Sequence, residues 1–335
     1  MHVLHLVGAT TTRFYLELSL TYHAACAAPP GTTTSVWTVR PGGGMTWRDG
    51  DEPDAPVDLG TATDRARRAD VAVPHMFCPT GMTTWRAFLD DIVGLPVVGP
   101  DAAAIAVATS KWTTKAVARA AGVATPDAVR LTGPAPCPAL PVVVKPDAED
   151  NSIGLTLVRD PAEWDAAVLR ALSASASAMA ETFIPGREVR VGVIADPVPR
   201  VLPILEYHVT EDRPVRVRAD KVATDARGAV TTGSWDRPSM DTTCPAALPP
   251  ATRDALHRAA LAMHDALGSR DYSLYDFRID EGGDPWLLEA CIFWSFSRFS
   301  VLTRMLNAEG GDLSATALDL WCRAAARRPA ARAAE

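Results

Sequence analysis

The run YSLYDFRIDEGGDPWLLEAC, residues 272 to 291, carries two carboxylates that its own pattern sets against each other. Gly282-Gly283 suits a two-residue hairpin turn, and apolar residues alternate on both sides of it. If the turn centres on those glycines and no bulge intervenes, Asp276 lies opposite Glu289 on one face. Like charges directly across a ladder cost stability. A divalent cation between them would remove that cost, and oxygen donors suit magnesium. The plainer alternative is a solvent-exposed hairpin end with two inert acids, since carboxylates are usually surface residues.

Lysines supply the second part of the chemistry. PVVVKP sets Lys145 at the end of a near-continuous apolar strand, where a solvated surface lysine is out of place. Lys111 follows Ser110 at the start of a helix, so its ammonium and the free amides of that helix end could face a phosphate; a plain surface charge is the alternative. After Lys145 the loop DAEDNSIGL offers Asn151, Ser152 and Gly154 to phosphate oxygens, although it lacks the glycines followed by lysine and Ser or Thr of a P-loop. In AETFIPGREVRVGV a strand ends in a Pro-Gly turn, with Glu181 before it and Glu188 after it. That arrangement could offer backbone groups to a base and a carboxylate to ribose, or be an ordinary connector.

The elements that must hold these residues follow from pattern. A chain of 335 residues exceeds one ordinary core, which predicts two or three packed units. HVLHLVG reads as a strand, Phe14 to Ala27 as a helix, SVWTV and ADVAVPH as strands, and Thr83 to Val93 as a helix, giving an α/β first domain over 1–105. A central unit over 106–186 has a helix capped by Ser110 and strands near DAVRL, LPVVVKP and 178–184. A third unit over 187–325 has strands EVRVGVI and RVLPILEY, a polar stretch near 209–250, a helix from Pro250 to Leu267, and the acidic hairpin. The basic, alanine-rich end, 326–335, reads as a flexible tail.

Composition narrows the classes. A net charge of −7 argues against a general nucleic-acid surface, and no apolar run is long enough to span a bilayer. The start lacks the order of a signal peptide, so the expected location is cytoplasmic. Six scattered cysteines, with no CxxC and no nearby histidine pair, suit reduced thiols and neither a zinc site nor a disulfide framework.

In this order the segments GPDAAAIAVATSKWTTKAVARAAGVATP, VVVKPDAEDNSIGLTLV, FIPGREVRVGV and DFRIDEGGDPWLLEA resemble the D-alanine–D-alanine ligase branch of the ATP-grasp superfamily, over roughly residues 71 to 307. The resemblance implies an ATP-grasp fold: an N-terminal α/β domain and two α+β domains sandwiching ATP. It implies ATP and magnesium as cofactors, with Lys111 and Lys145 on the phosphates and Asn151, Ser152 and Gly154 covering them. Glu181 would meet the adenine amino group, the backbone of Thr182 and Ile184 the base edge, Glu188 the ribose, and Asp276 and Glu289 the metal. Lys221 matches the lysine of a mobile closing loop, and Lys221, Ser152 and Arg278 are the catalytic candidates. The implied reaction phosphorylates a carboxylate, after which an amine displaces phosphate. The partners are small-molecule amino-acid and carboxylate-like substrates, with no nucleic acid or membrane, and a homodimer is allowed.

Departures concern the substrate. Cys291 stands where the family has a ligating asparagine, and Leu274 where it has an arginine that stabilises the oxyanion. The first-substrate motif reads HMFCPTGMTTWR. His75, Thr83, Arg86, Trp294, Ser295 and Ser297 are the substrate-binding candidates, with Trp85 and Arg298 as further lining residues. HMFCPTGMTTWRAF, LEYHVTEDRPVRVRADK, YSLYDFRID and LLEACIFWSFSRFSV look like the ligases that attach an amino acid to a mycosporine, where the activated group is a vinylogous acid. Dipeptide ligases of antibiotic pathways share the same possibility. The remaining alternatives are cell-wall D-alanine ligation and an ATP-binding protein without catalysis.

Overall fold

The computed structural model describes residues 1–149, 152–217, 220 and 240–327, save the side chain of Asp196. Strand β1 (His2–Gly8) is apolar at most positions and buried along most of its length, as befits the middle of a sheet. Helix α1 (Arg13–Ala24) follows, capped by Thr12, whose hydroxyl accepts from the Tyr15 N–H. Then come β2 (Thr33–Val39), β3 (Met45–Asp49), β4 (Ala55–Pro56), α2 (Leu59–Ala66) and β5 (Val71–Pro74). The sheet order is β4-β3-β2-β1-β5, with β2 and β5 parallel to β1. The stretch expected as one helix from Thr83 to Val93 is two π-helical turns, Gly81–Trp85 and Phe88–Val93.

Helices α3 (Ala102–Thr109) and α4 (Lys111–Ala120) lead into β6 (Ala128–Leu131), β7 (Val142–Pro146), β8 (Thr156–Val158), α5 (Trp164–Ala174) and β9 (Ala178–Thr182). These strands form an antiparallel sheet in the order β6-β9-β7-β8, with Trp164 and Val168 of α5 packed on Val142 and Val144. Strands β10 (Arg187–Asp196), β11 (Val198–Val201), β12 (Leu205–Tyr207) and β13 (Thr242–Thr243), helix α6 (Pro250–Ala266), and strands β14 (Tyr272–Ile279) and β15 (Pro285–Ala290) build the third sheet, in the order β13-β12-β10-β14-β15 with β11 beside β10. Helices α7 (Val301–Ala308) and α8 (Leu313–Ala325) finish the described chain. Ile105, Ala108 and Ala118 bury their side chains with Val189, Phe277 and Leu287. The apolar faces of α3 and α4 thus belong to the third sheet, and a boundary at 106 cuts through that core.

Arg327, the second residue of the expected tail, is held in place. The Arg327 guanidinium donates to both oxygens of Asp271, at 2.7 and 2.8 Å, and to the Val97 carbonyl at 3.0 Å, which ties it to the body of the protein. Residues 328–335 lie outside the described residues. Among the described residues no helix is long and apolar enough to cross a membrane.

Gly186 has φ +123°, and a Cβ there would collide with the Ile279 carbonyl of β14. The chain can turn from β9 into β10 this tightly only without a side chain. Gly186→Ala is expected to lose about 1–3 kcal/mol from the backbone conformation alone, read as a lower midpoint in denaturant.

Three histidines meet where the first sheet adjoins the end of the chain. His5 Nδ1 and His75 Nε2 are 2.9 Å apart, and His23 lies against both rings. Burial, reinforced by His23 and Arg48, pushes His5 down to about 3; burial and the charge of Arg48 push His23 down to about 4, against Asp54; burial and the other two histidines hold His75 well below its usual value. All three are neutral in the fold at pH 7. Below about pH 6.5 the unfolded chain binds protons that the fold refuses, so acid destabilises it, by up to about 1.4 kcal/mol per pH unit for each histidine. The denaturation midpoint should therefore fall steeply between about pH 6.5 and 4, and these groups should add no pH dependence above about pH 7.5.

Candidate functional site

Two adjoining cavities share a wall made by Lys111, Glu149 and Glu289. The first lies between the second and third sheets. Lys145 stands at the end of the buried strand β7, and its Nζ is 2.5 Å from Glu181 on the neighbouring β9. Lys115, one turn after Lys111 on α4, reaches the other oxygen of Glu181 at 2.8 Å. It also donates to Thr125 Oγ1 at 2.8 Å and to the Pro126 carbonyl at 2.9 Å. Burial works to raise the Glu181 carboxyl, but Lys145 and Lys115 outweigh it and hold the group below the usual carboxylate range. Burial pulls Lys115 down to about 8 despite Glu181. Glu181 is thus an anion clamped between two cations.

Lys111 opens α4, with Ser110 as its cap. Asp147 takes over the amides expected to face a phosphate: the Lys111 N–H donates to its carbonyl at 3.1 Å and the Trp112 N–H to its carboxylate at 2.8 Å. The Thr113 N–H donates to Ser110 Oγ. The helix end is therefore satisfied internally, and the Lys111 ammonium is what reaches the cavity. It donates to the Glu149 carbonyl at 2.6 Å and lies 3.5 Å from Glu289.

Asp276 and Glu289 are paired across β14 and β15, as the hairpin count required. The route to that pairing differs from the count. Ile279 pairs with Pro285, so the turn centres one half-step earlier, and a bulge between Asp276 and Phe277 restores the offset. Asp276 is bound by Arg190 and by Arg216, the latter at 3.2 Å. Arg216 also pairs with Glu188 and lies over the Tyr207 ring, 3.8 Å from its centroid. Burial disfavours both guanidinium charges, yet the carboxylates beside them win and hold both firmly protonated.

Glu188 is held by Arg216 and, at 3.3 Å, by Arg278. Arg278 donates further to the carbonyls of Ile184, Gly186 and Pro214. The structure thus makes Arg278 a brace for the turn at 184–186. Burial lowers the Arg278 pKa, against the opposing pull of Glu188. Thr182 and Ile184 line the cavity, but the Thr182 N–H donates to the Asp127 carbonyl and Ile184 offers its carbonyl to Arg278. The expected base-reading edge is partly spent on the protein itself. Ser152 has φ +56° and donates to the Arg216 carbonyl at 2.8 Å, and Gly154 turns with φ +71° against Pro146. Asn151 and Lys221 lie outside the described residues.

The second cavity is apolar and aromatic, walled by Tyr22, Phe77, Phe293 and Trp294, with Arg190, Cys291 and Ser295 as polar members. Of the expected substrate residues, Trp294 and Ser295 line it. His75, Arg86, Thr83 and Ser297 do not. His75 is fully buried against His5. Arg86 is also fully buried, its guanidinium donating to the carbonyls of Val98 and Pro100 at 2.8 and 2.9 Å. Thr83 donates to the Pro79 carbonyl, and Ser297 accepts from the Phe299 N–H. Trp85 packs on Trp37 and Phe88 instead of a ligand, and Arg298 lies over Phe299.

Sequence reasoning missed Lys115, Arg190 and Arg216. A signal existed for two of them: Lys115 is four residues from Lys111 on one helix face, and Arg190 is two residues from Glu188 on one strand face. Arg216 comes from an irregular polar stretch that fixes no direction.

The donor set at Asp276 and Glu289 consists of hard carboxylate oxygens, which fits magnesium. Glu289 is engaged by Lys111 at the longer distance of 3.5 Å. A cation at Asp276 has to share that carboxylate with Arg190 and Arg216.

Residues 137–318 match the family described as D-ala D-ala ligase C-terminus. The D-alanine–D-alanine ligase of Geobacter sulfurreducens is 28% identical over 230 residues, 66% of each chain, so the match spans just under two thirds of that relative's length. A putative D-alanine–D-lactate ligase of Streptomyces coelicolor is 26% identical over 84% of this chain and 83% of its own. In shape, the VanG D-Ala:D-Ser ligase of Enterococcus faecalis superposes with a TM-score of 0.76 over 96% of this chain and 98% of its own, at 17% identity.

Proposed function

Because the chain belongs to the D-alanine–D-alanine ligase family and has the ATP-grasp fold of its structural neighbours, we propose that it is an ATP-dependent carbon–nitrogen ligase using ATP and magnesium. The observation that carries this reading is the shared wall: Lys111 and Glu289 belong at once to the charged cavity and to the aromatic one. A phosphoryl group held at that wall is within reach of groups in either cavity.

ATP occupies the first cavity, with Lys145 on its phosphates and Glu181 fixing Lys145 through the second ion pair to Lys115. Magnesium, when bound at Glu289 and Asp276, offsets the charge of the phosphates. Lys111 meets the transferred group. The acceptor enters the second cavity with its acid oxygen near Arg190, and that oxygen attacks the γ-phosphorus while ADP leaves. The amine nitrogen then attacks the activated carbon, and the carbon–oxygen bond breaks to release phosphate. Positioning and charge do most of the work of such a transfer.

The aromatic side chains of the second cavity favour an acceptor larger and flatter than alanine, such as a ring-bearing vinylogous acid of small-molecule natural-product biosynthesis. The names of the relatives favour D-alanine instead. The reading places the enzyme in the cytoplasm and is compatible with a homodimer. Incubating the protein with ATP, magnesium, a panel of amino acids, and either D-alanine or cyclic enol acids should release ADP and phosphate. The product should have the summed mass of the two substrates less water. D-alanyl-D-alanine as the sole product would overturn the ring-acceptor reading, and no turnover across the panel would overturn the ligase.

A further inference from the structure

We propose that His5, His75 and Cys26 form a zinc site distinct from the magnesium carboxylates. One ligand atom from each of His5, Cys26 and His75 can be chosen so that all lie within 4.8 Å of one another. The three imidazole centroids form a nearly equilateral triangle, 5.0 Å from His5 to His23 and 5.1 Å on the other two sides. Two imidazole nitrogens on a tetrahedral zinc, each about 2.0–2.1 Å from the metal, stand roughly 3.3 Å apart. His5 Nδ1 and His75 Nε2 are 2.9 Å apart, so zinc needs the rings to part by only a few tenths of an ångström.

The chemistry of the donors agrees. The Cys26 thiol, pushed up by burial to about 12, gives up its proton on binding, and its charge then offsets part of the metal's. Arg48 repels a cation here, and Asp54, 3.7 Å from it, attracts one. Nitrogen and sulfur donors select zinc over magnesium. The expectation of no zinc site rested on spacing along the chain, whereas β1, the end of α1 and the residue after β5 bring these ligands together from remote positions.

The site lies at a junction. Cys26 bridges Ser297, the Ala27 N–H donates to the Phe296 carbonyl at 2.8 Å, and the Arg298 N–H donates to the Ala25 carbonyl. Tyr22 and Phe77, walls of the aromatic cavity, are near neighbours in sequence of His23 and His75. Zinc would fix Cys26, whose backbone contacts the segment that follows Trp294 and Ser295. Nothing in this depends on the ligase reading, and its test does not use turnover.

Chelator-stripped full-length protein is titrated with zinc against a chromophoric competitor, in excess magnesium. One zinc per chain is expected, weakened by about 10–100-fold or more in Cys26→Ser and in His75→Gln, and unchanged in Cys137→Ser and Cys322→Ser. Cobalt(II) added to the wild type should give the intense absorption of a tetrahedral site together with a thiolate charge-transfer band, which covers the case where a variant fails to fold. Zinc affinity indifferent to Cys26→Ser, or a wild-type cobalt spectrum without the thiolate band, overturns the proposal.

Discussion

Glu289→Gln is expected to lower the rate of ADP formation by about 10³-fold while leaving the melting temperature within a degree or two of wild type. Glu289 pairs with Asp276 across the ladder, contacts Lys111 and lines both cavities, so its charge stands where the proposed reaction would transfer the phosphoryl group. Its side chain keeps 18% exposure, so water can take up part of the charge left on Lys111 when the anion is removed. The glutamine keeps the shape and loses the anion. Steady-state ADP release, alongside calorimetric ATP binding with and without magnesium, separates the two effects. The variant should bind ATP nearly equally with and without the ion, and turnover within tenfold of wild type would remove Glu289 from the reaction.

Glu181→Leu should instead damage the fold. It leaves the ammonium groups of Lys115 and Lys145 facing each other in a buried site, with their common partner gone. Breaking a buried pair in this way costs about 3–5 kcal/mol. The sign of its pH dependence follows from the lysines. Without Glu181 the folded pKa of Lys115, already pulled down to about 8 by burial, drops further below that of the unfolded chain, so the unfolded state binds more protons, and stability recovers as the pH is raised. Denaturation midpoints at pH 7 and pH 9.5 should therefore show a larger gap from wild type at the lower value. A loss under about 1 kcal/mol at pH 7 would mean that the clamp contributes little.

The acidic hairpin was legible because a period of two and a glycine turn fix which residues share a face. The pairing of Asp276 with Glu289 emerged even though the turn and the bulge each depart from the simple count, their offsets cancelling. The apolar run VVVK placed Lys145 inside, and Ser110 marked the start of α4. What sequence could not carry was direction across space. Arg86 looks like a ligand residue because it follows a polar motif, yet the π-helical turns around it aim its guanidinium at the carbonyls of Val98 and Pro100. Asp147 reads as a loop acid, and only the fold shows it closing the amino end of a helix 35 residues earlier in the chain. The histidine triangle draws on three distant elements, a relation that local spacing does not encode.

The strand-like contact between Cys26 and Ser297 bears on how such enzymes can diversify. Residues 293–295 line the second cavity, yet the backbone just beyond them is bonded to residues 25–27 of the opening unit. Swapping only the carboxyl-terminal half with that of a relative would graft a new cavity wall onto a mismatched seam. A chimera should therefore take up a new acceptor only when α1 and the segment 291–300 travel together, which makes these two stretches one heritable module.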